Sequence, residues 1–393
     1  MREFPKLFLH PGREKSLLRY HLWVFTGAVK KVEGDVSDGD WVEIFDSEAG
    51  FLASGHYNAG SIMVRIQSFA RVMPDGSFWE KKVKYAIDLR RRLGFFDHPE
   101  LNVFRLINGE GDELSGLIVD YYDGVLVVQC HSTGMYKELD QISMALQKNI
   151  PGIKAIYDKS YLTLGTDQGG KKGEFLFGSS DPVVVNEYGN SFEVDFINGQ
   201  KTGFFIDQRE NRKLLGSYSF NKMVLNTFCY TGGFSIHAAN SGARKVVSVD
   251  TSEKAIRQTN VNFELNKIEK SNYENIDADV FSYLDKANEK FDVIILDPPA
   301  FAKHQKAVKN ALKGYRKLNE KAFSKIERGG VLFTFSCSQL VNKDDFRKAV
   351  FSAAANSGRK VRILHQLSQP ADHPINIYHP ESEYLKGLVL FVE

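Results

Sequence analysis

Two apolar runs in the C-terminal half of this sequence end on groups that can do chemistry. The first, Phe291-Asp292-Val293-Ile294-Ile295-Leu296, closes on Asp297-Pro298-Pro299-Ala300-Phe301. Consecutive prolines prevent a helix from starting at once and fix the chain beside the carboxylate. The second run, Gly330 to Phe335, closes on Ser336-Cys337-Ser338. If the two runs are strands of one open α/β sheet, an acid and a thiol reach the rim where such sheets bind their ligands. A thiolate is a nucleophile, and a carboxylic acid can protonate or hydrogen-bond the group under attack. The ordinary fate of a free cysteine is that of a small buried hydrophobe, and Cys130 and Cys229 are assigned to it.

A second set of residues has the types and spacing of a nucleoside site. Asn226-Thr227-Phe228-Cys229-Tyr230-Thr231-Gly232-Gly233-Phe234 follows an apolar strand and runs into a helical stretch from about Ser235. A glycine turn at that point lets a ligand approach the backbone N–H groups of a helix start. Asp250 ends the next strand, eighteen positions after Gly232, where a carboxylate can accept from both hydroxyls of a ribose. Asp279, after a third short strand, is placed to accept from an adenine amino group. Upstream, Asn198-Gly199-Gln200-Lys201-Thr202-Gly203-Phe204-Phe205 is another Gly-rich polar loop, able to close over the ligand. Taken singly, a Gly-Gly is more often a plain turn and a strand-end Asp more often a helix N-cap. Their joint occurrence is harder to obtain by accident. The missing Gly-x-Gly-x-x-Gly argues against a dinucleotide oxidoreductase.

The elements that must hold these groups follow from the pattern of the chain. Its 393 residues, 42% hydrophobic and 25% charged, suit a globular protein of two or three domains. From 1 to 72, short strands (Trp41 to Phe45, Phe51 to Ser54, Ile62 to Ile66) broken by Gly and Asp predict a small β-barrel. Residues 73–190 read as a central α+β domain: a basic amphipathic segment from Trp79 to Leu93, strands Leu117 to Tyr121, Val125 to Gln129 and Ile153 to Tyr157, and a helix from Lys137 to Asn149. Over 191–393, strands Met223 to Leu225, Lys245 to Val249, Phe291 to Leu296 and Gly330 to Phe335 alternate with helices, which implies a doubly wound parallel sheet. Val361 to Gln366 and Leu385 to Val392 close it, separated by the irregular loop Pro370 to His379.

Charge is informative only locally. Lys+Arg 51 against Asp+Glu 49 leaves +2, so an anionic partner must be met by clusters. Between Lys303 and Arg328, nine Lys/Arg stand against Glu320 and Glu327, with Lys306, Lys309, Lys313 and Arg316 or Lys317 on one helical face opposite Val308, Leu312, Tyr315 and Leu318. Phosphate contact is favoured for this face. Two further clusters, Lys81, Lys82, Lys84 with Arg90, Arg91, Arg92, and Arg13, Lys15, Arg19, are as readily explained by solvation. Three distant cysteines without Cys-x-x-Cys spacing give no disulfide framework and no metal site, and a reducing cytoplasm fits them. No apolar stretch suggests a signal peptide or membrane span.

Asn226 to Phe234, Asp250, Asp279 and Asp297-Pro298-Pro299 resemble the motifs of class I S-adenosylmethionine-dependent methyltransferases, and Ser336-Cys337-Ser338 is similar to RNA 5-methylcytosine methyltransferases. His10-Pro11-Gly12-Arg13-Glu14-Lys15 through Arg19, His21 and Trp23-Val24-Phe25 resembles a PUA RNA-binding domain. With Gln200-Lys201-Thr202-Gly203-Phe204-Phe205-Ile206-Asp207-Gln208-Arg209-Glu210-Asn211-Arg212 and Ile107-Asn108-Gly109-Glu110-Gly111-Asp112, the resemblance spans nearly the whole chain. It is to the bacterial family of ribosomal RNA large subunit methyltransferases acting on 23S RNA. The resemblance implies a PUA-like barrel, a central α+β domain and a Rossmann-like class I methyltransferase domain. It implies S-adenosylmethionine as cofactor, held by Gln200, Lys201, Thr202, Gly203, Arg209, Phe228, Tyr230, Thr231, Gly232, Asp250 and Asp279. Cys337 would be the nucleophile and Asp297 the acid. Arg13, Lys15, Arg19, Lys303, Lys306, Lys309 and Lys313 would meet ribosomal RNA, with no metal and no membrane, and a homodimer left open. Many RNA cytosine-5 methyltransferases carry a second cysteine after the proline of the acid motif, where this chain has Ala300. A guanine N-methyltransferase, which would need no thiol, and a non-catalytic RNA-binding assembly factor are the rival readings.

Overall fold

The computed structural model describes residues 3–164, 173–302 and 304–393. The chain forms two compact units. One comprises Met1–Val185, Val194–Phe204 and Ala371–Ser382, the other Asn186–Glu193, Phe205–Pro370 and Glu383–Glu393.

The second unit is built on a seven-stranded sheet: β1 (Met223–Thr227), β2 (Lys245–Asp250), β3 (Tyr273–Asp277), β4 (Phe291–Leu296), β5 (Ile326–Ser336), β6 (Val361–Leu367) and β7 (Lys386–Val392). Its order is β3-β2-β1-β4-β5-β7-β6. The first five strands are parallel, and β7 runs antiparallel to β5 and β6. The sense in which successive strands are added across the sheet therefore reverses at β1, and the carboxyl ends of β1, β2, β4 and β5 share one rim. The strands are apolar because both faces of the sheet are covered. Helices α1 (Gly233–Asn240), α2 (Glu253–Leu265), α3 (Val280–Lys286), α4 (Val308–Lys325) and α5 (Lys343–Ser357) supply that cover. Ala311, Tyr315, Leu318, Ala322 and Phe323 recur at helical spacing along α4 and pack with Ile294, Leu332 and Leu390 of the sheet. Each large apolar side chain so buried contributes about 1.5–3 kcal/mol.

In the first unit, six strands within residues 1–72 pair in the order Trp23–Phe25, Ile62–Ser68, Phe51–Tyr57, Trp41–Phe45, Lys6–Leu9, Val29–Glu33. Alternation puts Leu7, Leu9, Val42, Ile44, Val64 and Ile66 into their common core. A five-stranded sheet follows, with the order Glu174–Gly178, Ala155–Asp158, Val125–Cys130, Leu117–Tyr122, Val103–Asn108. The helix expected from Lys137 to Asn149 is two, Thr133–Lys137 and Leu139–Asn149, because Glu138 leaves helical geometry with ψ near 3°. The basic segment is the helix Gly76–Arg92, capped by Asp75, whose side chain accepts from Ser77 N and Phe78 N.

That helix does not present a uniform basic face. Arg90 is fully buried; it donates to both oxygens of Asp112 at 2.5 and 2.8 Å and to Asp372 O at 2.7 Å. Lys82 Nζ donates to Gln67 O at 2.6 Å. The loop read as irregular around residues 370–379 is what Arg90 holds, and Asp372 Oδ2 also accepts from Arg105 N at 2.9 Å. Gly111 passes so close beneath it that a Cβ there would lie 2.0 Å from Pro374 O, which explains the glycine. No described helix is long and apolar enough to cross a membrane.

Candidate active site

The two apolar runs are neighbouring parallel strands, with Leu296 of β4 beside Thr334 of β5. Beyond Ser336 the chain is locked by side chains. Ser336 Oγ donates to Tyr315 Oη at 2.9 Å, Tyr315 Oη and Ser338 Oγ are 3.0 Å apart, and Ser338 Oγ accepts from Ala302 N at 3.3 Å. Both serines are fully buried while Cys337 between them keeps part of its surface exposed. Its Sγ donates to Pro298 O at 3.7 Å, so the thiol lies against the Asp-Pro-Pro segment. Cys130 and Cys229 are buried, and burial pushes both thiols up, away from ionisation.

Asp297 is held by a relay that the sequence did not announce. Asn211 Nδ2 donates to Gln208 Oε1 at 2.6 Å, and Gln208 Nε2 donates to Asp297 Oδ1 at 3.1 Å. Gln208 lies inside the long Gln200–Arg212 motif, the only sequence signal that pointed to it. The motif divides between the units at Phe204/Phe205. In its second half, Arg212 makes a bidentate pair with Glu187 at 2.7 and 2.6 Å and donates to Phe205 O at 2.8 Å. Asn190 Nδ2 faces His237 Nδ1 at 3.4 Å, which assigns the proton of His237 to Nε2, 2.9 Å from Glu187 Oε1. Burial drives Glu187 upward, but the Arg212 guanidinium and the His237 hydrogen bond outweigh it and hold the carboxyl at about 2. Desolvation lowers His237, which is therefore a neutral donor. Arg209 is also fully buried, with Nε 3.1 Å from Glu210 Oε1.

The turn after β1 is tightly tied. Phe228, Tyr230 and Gly232 all have positive φ (55°, 48° and 79°), a conformation that costs non-glycine residues energy and concentrates at functional sites. Tyr230 N donates to Asp250 Oδ2 at 2.9 Å, Thr259 Oγ1 to Tyr230 O at 2.9 Å, and Asn262 Nδ2 to Thr231 O at 2.8 Å. A Cβ on Gly232 would meet Thr259 Cγ2 at 2.7 Å, and one on Gly233 would meet Arg212 Cδ at 2.9 Å. Asp250 Oδ1 accepts from Ser252 N at 3.0 Å, so each oxygen has one bond and retains a lone pair. Thr231 is buried with a hydroxyl that has no partner among the described residues. Asp279 does what a strand-end Asp commonly does: its Oδ1 caps α3 by accepting from Ser282 N at 2.9 Å.

In the first unit, Thr202 is buried and its hydroxyl is committed, donating to Asp120 Oδ2 at 2.6 Å and lying 3.1 Å from Tyr122 Oη. Gly203, at φ 123°, packs against the Phe196 backbone. Asn198, Gln200 and Lys201 are the exposed members of that loop, and fully buried Lys159 braces it through Phe196 O and Gly199 O at 2.6 and 2.7 Å. Arg13, Lys15 and Arg19 are exposed, and Arg13 and Lys15 line a groove of about 400 Å³ with Trp23 and Phe25. Lys306, Lys309 and Lys313 are exposed and make no ion pair among the described residues; Lys303 lies outside them. Further along α4, Arg316 pairs with Glu320 and Lys321 with Asp285, which takes Arg316 out of the expected basic face. The described residues bring together one trio of metal-type ligands, His21, His379 and Glu381, in which His21 Nε2 is already hydrogen-bonded to Glu381 at 3.2 Å.

A family of S-adenosylmethionine-dependent methyltransferases matches residues 104–378, and a PUA-like domain matches residues 7–69. Ribosomal RNA large subunit methyltransferase I of Aeromonas hydrophila is 41% identical, over 98% of this chain and 98% of its own. The protein of the same description from Klebsiella pneumoniae is 39% identical over 98% and 97%. Among solved structures, a protein from Streptococcus mutans described as a SAM-dependent methyltransferase superposes with a TM-score of 0.86 at 24% identity, covering 98% of this chain and 100% of that one. A methyltransferase crystallised with SAH gives 0.87 at 24% identity and the same coverage. Both carry the fold.

Proposed function

The chain belongs to the family of S-adenosylmethionine-dependent ribosomal RNA large subunit methyltransferases, and from that premise we propose that it methylates carbon 5 of a cytosine in 23S ribosomal RNA, in the cytoplasm, through a transient covalent bond to Cys337. The observation that carries this reading is the partly exposed thiol of Cys337 lying against the carbonyl of Pro298, the residue after Asp297, while the other two cysteines are buried.

Carbon 5 of cytosine is a weak nucleophile, so a thiolate must first raise its electron density. Cys337 Sγ forms a bond to carbon 6, and the displaced π electrons move toward carbon 5. Asp297, in its acid form, hydrogen-bonds or protonates ring nitrogen 3 and accepts the charge that the attack generates. The Asn211–Gln208 relay keeps that carboxyl oriented, so little reorganisation is needed when charge develops. The bound cofactor supplies an electrophilic methyl group. Loss of the carbon 5 proton to a base then expels Sγ and restores the aromatic ring.

The turn after β1 fits the adenosyl cofactor on two counts: an unpartnered buried hydroxyl at Thr231, and a carboxylate at Asp250 with lone pairs left for a ribose. Thr231, Gly232, Tyr230, Phe228 and Asp250 would hold it. Asp279 retains one carboxylate oxygen for adenine beyond its helix cap. Thr202, Gly203 and Arg209 act by shaping the backbone. For RNA, Lys306, Lys309 and Lys313 offer phosphate contacts, and Arg13, Lys15 and Arg19 offer them in the PUA-like domain.

Mass spectrometry of ribosomal RNA nucleosides from a strain lacking the protein tests the reading. One 5-methylcytosine in 23S RNA should vanish and return with wild-type protein, but not with Cys337→Ala. Loss of a methylguanine instead would refute it.

A further inference from the structure

The thiol of Cys337 has a neighbour that its own strand does not reveal. Strand β7 returns antiparallel beside β5, and the register places Lys386 opposite Ser336, one residue before the cysteine. Lys386 is 5% exposed, and its Nζ donates to Ser338 O at 2.7 Å. The ammonium is thus tethered to the residue that follows Cys337, inside a sheet where an unpaired lysine has little reason to be.

The titratable groups facing this amine come from four elements. On β7 and just before it stand Lys386 itself and Glu383; Glu383 pairs with Lys343 of α5 at 2.5 Å. From β5 comes Cys337, and from α4 comes Tyr315, whose hydroxyl is occupied by Ser336 and Ser338 and which burial pushes upward, so it stays neutral. Burial lowers Lys386 to about 8; Cys337 and Glu383 pull it back up, and Lys343 pushes it down. With Glu383 tied to Lys343, a negative charge on Cys337 is what the buried amine can answer.

We propose that Lys386 is the positioning residue that generates and holds the Cys337 thiolate. When Nζ is neutral it takes up, through water, the proton that Sγ–H releases, giving Sγ⁻ and Nζ–H₃⁺. When Nζ is already an ammonium, the thiol proton leaves to water and the same ion pair results. The thiolate is then available for bonding to carbon 6 and is recaptured beside the ammonium when that bond breaks. This rests on Cys337 being the nucleophile, and it supplies the activation that a free thiol, with a pKa of about 8.5, would otherwise lack near neutrality.

The test is the rate of carboxamidomethylation of Cys337 by iodoacetamide across a pH series. It is read by peptide mass spectrometry on the full chain without RNA or cofactor. In the wild type the alkylation midpoint should lie below about 8.5. Lys386→Met should raise it by about one unit or more, slowing alkylation roughly tenfold near neutrality. Lys386→Arg, which keeps the charge, should preserve the low midpoint. Methylation by Lys386→Met should lose kcat at neutral pH and recover part of it in alkaline buffer. A wild-type midpoint at or above the ordinary thiol value overturns the proposal without any variant. Equal midpoints in wild type and a folded Lys386→Met, with the fold checked by Tm and S-adenosylmethionine calorimetry, overturn it as well and leave Lys386 an anchor for Ser338. Failure of the nucleophile reading is separate: Cys337→Ala would then retain methylation whatever the alkylation data show.

Discussion

Glu187→Gln removes a charge from a buried cluster that backs the cofactor turn, and its consequences can be worked from the geometry. Glu187 is fully buried and satisfies Arg212 bidentately and His237 Nε2–H at once. Its carboxyl moves from 4.5 in an unfolded chain to about 2 in the fold. At about 1.4 kcal/mol per pH unit, the ionised form gains about 3 kcal/mol of stability from its surroundings. Leaving Arg212 buried without its partner is expected to cost about 3–5 kcal/mol by an independent route. The folded value is depressed, so the contribution is fully present above about 4.5 and is lost as the pH falls toward about 2. We predict that Glu187→Gln lowers Tm by roughly 6–12 °C near neutral pH, at about 2–4 °C per kcal/mol for a unit of this size. The difference from wild type should shrink steadily as the pH falls below about 4.5. Because Arg212 also packs under Gly233 and bonds Phe205 O, S-adenosylmethionine binding should weaken in parallel. Differential scanning calorimetry at a series of pH values checks this. A Tm difference under about 2 °C, or one that stays constant through the acid range, would refute the reasoning.

Gly232→Ala is expected to weaken S-adenosylmethionine binding at least tenfold by calorimetry, since a side chain at φ 79° would press on Thr259 and shift the turn. Asp250→Asn should cost roughly 10- to 100-fold in cofactor Kd, the size of one charge-assisted hydrogen bond, and lower Tm without cofactor modestly, because its amide would face one of the N–H groups of Tyr230 and Ser252 that the carboxylate accepts. Lys309→Glu combined with Lys313→Glu should weaken RNA binding and flatten its salt dependence while leaving cofactor affinity intact; an unchanged slope of log Kd against log salt would remove α4 from the RNA surface.

Much of the second unit was legible because its strands are continuous apolar runs: Phe291–Leu296 is the strand the residues foretold, and parallel pairing brings the candidate groups Cys337 and Asp297 to one rim. What stayed hidden depends on contacts between residues distant in sequence. Gln208 reaches Asp297 across 89 positions, and Lys386 reaches Ser338 across 48. Local pattern reports burial and turns, not which side chain a returning strand places opposite another. The short strands Lys6–Leu9 and Trp23–Phe25 escaped because their runs are too brief for a period to register. The basic helix Gly76–Arg92 misled in part, because charge alone does not tell Arg90, locked on Asp112, from its exposed neighbours Arg91 and Arg92.

The bond between sulfur and pyrimidine can be caught directly. A 23S RNA fragment bearing 5-fluorocytidine in place of cytidine has no carbon 5 proton to lose, so after methyl transfer the expulsion of Sγ should stall with the protein attached. Incubated with S-adenosylmethionine, the wild type is predicted to give a denaturant-stable RNA adduct whose cross-linked peptide contains Cys337, and Cys337→Ala to give none. An adduct mapping to another residue, or full methylation of unmodified RNA by Cys337→Ala, would contradict the mechanism.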